Sequence, residues 1–101
     1  MATKNKPGQW DCYENAHPDE PMFVLLGRDP MAPLLVRLWA DAREAQGESS
    51  AKVREARACA DNQDAWAKEH LRKVTYPSEQ ALEDAILKAA NQIKERRARS
   101  R

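Results

Sequence analysis

Met22-Phe23-Val24-Leu25-Leu26 is an uninterrupted apolar run, bounded by Pro21 and Gly27. It is too short for a helix, so its pattern predicts a strand. A strand needs a neighbour to pair its backbone groups. Trp10-Asp11-Cys12-Tyr13 is the near candidate, with Trp10 and Cys12 on one face; the same segment of a second subunit is the other. A small sheet or hairpin near 10–13 and 22–26 is therefore expected.

Beyond Gly27 the apolar positions take up the period of a helix. Asp29 is placed to cap free N–H groups and Pro30 to occupy the first helical position, which predicts a first helix over about 31–46. Pro33, still in the first turn, allows a start two or three residues later. Leu34, Leu35, Leu38, Trp39 and Ala42 give it a broad apolar stripe, and Gly47 a C-terminal cap. A second helix over about 50–71 opens at Ser49 or Ser50. Its inner face runs through Val53, Ala56, Cys59, Ala60, Gln63, Trp66, Ala67, His70 and Leu71. Small side chains on that face permit close approach of a bulky neighbour. Pro77 breaks the chain after Tyr76, and Ser78 then caps a third helix over about 79–97. Leu82, Ala85, Ile86, Ala89 and Ile93 mark its apolar face. The fold class that results is mostly α, three helices with a short strand or hairpin.

Residues 1–9 are polar with Pro7 and Gly8, and read as a loose tail. Residues 10–93 form one compact domain, and 94–101 a basic C-terminal tail. Of the 101 residues, 42 % are hydrophobic, but many of these are alanines that bury little area each. So small a core points to a partner chain, by default a homodimer or higher oligomer. The net charge of +1 hides an asymmetry. Residues 88–101 carry six cations against Glu95, a local +5 that leaves the first 87 residues at −4. Such a tail can meet nucleic acid, or simply complement the negative end of a helix. Two cysteines, the lack of an apolar leader and the lack of a membrane-length run predict a cytoplasmic protein with reduced thiols.

Little catalytic chemistry is written in the chain. Cys12 with His17, and Cys59 with His70, have no metal-ligand spacing. Ser49, Ser50 and Ser78 stand where helix caps belong, so neither enzyme, metal nor cofactor is expected. The strongest ligand signal is Gly27-Arg28-Asp29-Pro30, where Arg28 and first-turn amides could hold an anion while Gly27 lets it approach. Trp10, Tyr13 and Tyr76 lie in loops where they could cover a base, and Arg96 and Arg97 could close the site from a neighbouring subunit. Trp39 and Trp66, on inner stripes, read as core.

Residues 13–66 resemble small hypothetical accessory proteins of bacteriophages and prophages. Tyr13-Glu14-Asn15-Ala16, Pro18-Asp19-Glu20-Pro21-Met22-Phe23-Val24-Leu25, Asp29, Ala32-Pro33, Val36, Trp39-Ala40, Ala56, Ala58-Cys59-Ala60 and Ala65-Trp66 carry the likeness. It implies a phage accessory protein acting in the host cytoplasm, with no settled activity. The resulting expectation is a non-enzymatic binding protein that sequesters a small anionic ligand, such as a nucleotide immune signal, to counter host defence. The alternatives are an inhibitor that occludes a host defence protein and a nucleic-acid-binding factor that uses the basic tail.

Overall fold

The structure, a computed structural model, describes residues 1–71 and 77–99. Four helices run along them: α1 (Cys12–Asn15), α2 (Ala32–Ala45), α3 (Ser50–His70) and α4 (Glu79–Arg99). No strand occurs among the described residues. The three long helices fall where the apolar periodicity puts them. The strand or hairpin does not form. Asp11 accepts the Tyr13 N–H at 3.1 Å and so caps a single helical turn at 12–15. With its near neighbour wound into a helix, the 22–26 run takes up no regular secondary structure, and Met22, Phe23 and Val24 form no backbone hydrogen bond to a described residue.

α2 and α3 form an antiparallel hairpin that contains the core. Gly47, at φ +85°, ends α2. Its N–H reaches Glu44 O and that of Glu48 reaches Arg43 O, the paired bonds of a Schellman motif. Across the hairpin Ala40 meets Val53 and Ala56, all fully buried, with Val36 and Met1 packed against them. α3 buries Val53, Ala56, Ala60 and Gln63, the core of the expected stripe. α2 turns a different face inward: Ala32, Pro33 and Ala40 are buried. Leu38 and Trp39 sit outside, Trp39 at 39 % exposure, and Trp66 of α3 is likewise 42 % exposed. Both tryptophans were expected in the core. Alanine against alanine brings the two helix backbones close, which pushes the large side chains to the flanks.

Two arginine forks lie astride that seam. Arg37 of α2 donates to Asp61 and Asp64 of α3, at 2.8 and 2.7 Å. Arg57 of α3 donates to Asp41 and Glu44 of α2, at 2.7 and 3.1 Å. Each fork thus has its counterpart on the other helix of the antiparallel pair. The N-terminal residues, expected to hang loose, are tied to α3 instead: Glu55 accepts the N–H groups of Gln9 at 2.7 Å and Trp10 at 3.2 Å. α4 stands apart. None of its residues is buried, and only its first turns border the hairpin. None of the helices is long and apolar enough to cross a membrane, among the described residues.

Candidate functional site

The turn between the 22–26 run and α2 closes with Asp29 N–H donating to Leu26 O at 2.9 Å. Asp29 then serves its own backbone: its Oδ1 accepts the Met31 N–H at 2.9 Å and its carbonyl the Ala32 N–H at 3.1 Å. Pro30 and Pro33 have no N–H to offer. The amides expected to receive an anion at this corner are therefore mostly engaged or missing, and a carboxylate already stands over them. Arg28 projects from the turn into solvent, and Gly27 lies against α3, where an added Cβ would come 3.5 Å from Trp66 Cε3.

Beside this corner lies an open groove of about 1010 Å³, bordered by the turn, α2, the end of α3 and the start of α4. Its ionisable lining is Asp29, Asp64, Glu69 and Glu79 against Arg37 and Lys68. Four acids outnumber two bases, and Arg37 is already forked between Asp61 and Asp64, which raise its pKa further through their hydrogen bonds. The formal charge of that lining is −2, which offers an anion no net attraction.

The other residues expected at a ligand site do not gather here within one subunit. Trp10 is half-buried at the level of Glu55 on α3, whereas Gly27 sits at the level of Gln63 and Trp66. Those levels are about 12–16 Å apart along the helix. Tyr13 is 80 % exposed on α1. Arg96 and Arg97 lie in the last turns of α4, about 27 Å along its axis from Glu79 at the groove. Tyr76 lies outside the described residues.

Among the described residues, Cys59 and His70 are not brought together as a nucleophile and its base. Burial pushes the Cys59 thiol above its usual pKa, which keeps it protonated. His70 stacks on Trp66, ring centroids 4.5 Å apart, with Nδ1 3.0 Å from the Trp66 carbonyl. Among the described residues no cluster of three histidine, cysteine, aspartate or glutamate side chains could hold a metal ion.

What the structure does present is residues 22–26. Phe23 is 87 % exposed and Val24 60 %, with Met22 and Leu26 also exposed. No hydrogen bond joins the backbone of Met22, Phe23 or Val24 to any described residue. The run is nonetheless held at its far end. Gln63, buried in α3, donates from Nε2 to Leu25 O at 3.1 Å, and the Leu26–Asp29 turn follows. The helical spacing places Gln63 on the inner face of α3, but not its role as an anchor, because Leu25 lies far away in sequence. No protein-family model matches the chain, nor does any curated protein or solved structure.

Proposed function

We propose that the chain is a non-enzymatic interaction protein that engages another protein through residues 22–26. The observation that carries this reading is an exposed apolar segment outside regular secondary structure, anchored at Leu25, whose backbone at 22–24 has no partner among the described residues. A segment of this kind adds to an exposed sheet edge of its partner: backbone bonds supply affinity and alternate side chains enter pockets. Phe23 is the natural anchor, since buried aromatics dominate interface energetics. Anchoring by Gln63 lowers the ordering cost of binding. The likeness to phage accessory proteins makes host proteins the first partners to try, and occlusion of a defence protein the role that fits.

The test is capture from host lysate by wild type, Phe23→Asp and Arg28→Ala proteins, followed by hydrogen exchange on the purified complex. A partner retained by wild type and Arg28→Ala, lost with Phe23→Asp, and slowing exchange at 22–24 supports the reading. Equal retention by Phe23→Asp rejects it. Selective loss with Arg28→Ala returns the site to the anionic-ligand alternative.

A further inference from the structure

α4 carries an apolar face that its own subunit covers only in part, near its start, where Leu82 borders the groove. Leu82, Ala85, Ile86, Ala89 and Ile93 recur at helical spacing along one side. Leu82 and Ile86 are only half-buried, Ala85 and Ala89 are exposed, and Ile93 is 48 % exposed. Ala85 and Ala89 keep the middle of the stripe low, which lets another helix come close.

The charges beside this stripe say what covers it. Glu79 and Glu83 border it in the first turns, Lys94 and Arg97 in the last. Arg97 follows Glu79 by about five turns and Lys94 follows Glu83 by about three, so all four line the same flank. Two helices that run side by side in opposite directions bring like flanks together. A second α4 laid antiparallel, with its Ile93 against Leu82 and its Ala89 against Ile86, sets its Arg97 beside Glu79 and its Lys94 beside Glu83. One register satisfies the apolar seam and both ion pairs, twice over by symmetry. The parallel alternative brings unlike flanks together, so Glu79 and Glu83 are not set beside Arg97 and Lys94, and it crowds the basic ends together, which like-charge repulsion disfavours.

We infer that the chain forms a two-fold homodimer through antiparallel pairing of α4, with Glu79 and Glu83 of each copy facing Arg97 and Lys94 of the other. The apolar seam is about three turns long and falls at the small end of specific interfaces, so the dimer is of micromolar strength and salt-sensitive. This surface is separate from residues 22–26 and does not depend on the function proposed above.

Sedimentation equilibrium of the full chain, from about 5 to about 200 µM in low salt, tests it. Wild type is expected to pass from monomer to dimer across that range. E79K/E83K and K94E/R97E are each expected to weaken the dimer at least about 30-fold. Mixing the two variants is expected to restore a dimer, because each all-like helix then meets its opposite. Circular dichroism checks that α4 stays helical in both. A wild-type monomer throughout the range overturns the proposal, as does a dimer indifferent to both charge reversals or a mixture that stays monomeric. Phe23→Asp is expected to leave dimerisation unchanged; its loss in that variant would assign the interface to residues 22–26 instead.

Discussion

At Glu55 a single carboxylate takes the amides of Gln9 and Trp10, and one of its oxygens lies 3.8 Å from the Met1 ammonium. Met1 in turn donates to Pro7 O and Trp10 O, closing residues 1–10 into a loop against α3. Gly8 makes the approach possible. Its φ is +81°, and a Cβ there would come 2.6 Å from Glu55 Oε1. Strain and overlap therefore act together at one position. Glu55→Ala is expected to cost about 1–3 kcal/mol, read as a fall in Tm and faster proteolysis within residues 1–10. Gly8→Ala should destabilise wild type more than it destabilises the Glu55→Ala background, where only the backbone strain of about 1 kcal/mol remains. Additive losses would show that the two residues do not share a contact. None of this was visible in the sequence, where Pro7 and Gly8 signal a loose tail. The hydrogen-bond partner lies more than forty residues downstream, and a lone glutamate on a helix carries no mark of its target.

Among the elements, what survives from sequence to structure is periodicity, and what does not is pairing. The three long helices, their glycine stop at Gly47 and the Val53–Ala56–Ala60–Gln63 face are set by local spacing, and local spacing can be read. The strand failed because a strand is defined by its neighbour, and Asp11 capped that neighbour into a turn of helix. The inner face of α2 failed for a subtler reason. Leu34, Leu35, Leu38 and Trp39 make the more apolar stripe, yet close packing on an alanine face selected Pro33 and Ala40. Polar residues of both helices then meet across the seam. The Arg57 hydrogen bond holds the Glu44 carboxyl below its usual 4.5. Arg43, with the Ser49 amide, does the same for Glu48. A carboxylate whose folded pKa is depressed stabilises the fold fully above its unfolded value and loses that contribution as pH falls through the folded one. Thermal stability of the hairpin is therefore expected to be flat from neutral pH to about 5 and to fall below about 4.5. Both carboxylates are at the surface, so the fall should shrink in high salt. Melting curves between pH 7 and 3, with and without added salt, check both statements; a Tm that rises on acidification contradicts them.

For the molecule as a whole, the distribution of burial decides which parts depend on which. The radius of gyration is 15.5 Å, against about 13 Å for a compact chain of this length. The excess reflects α4, which buries no residue of its own, while the core cluster is confined to α2 and α3. Small alanine-rich cores gain little from each residue, and a helix that adds no buried side chain adds least. A chain ending at Leu71 keeps both arginine forks, the Glu55 loop and the Gln63–Leu25 bond intact. It is expected to fold and, at low micromolar concentration, to melt within about 3 °C of the full chain. The full chain alone should gain Tm with rising concentration, since only it carries the face that a second copy can bind. Binding through Phe23 should survive the truncation. A shortened chain that unfolds would mean that the groove between α4 and the hairpin contributes stability out of proportion to its burial. It would also make α4 part of the fold before it is part of any assembly.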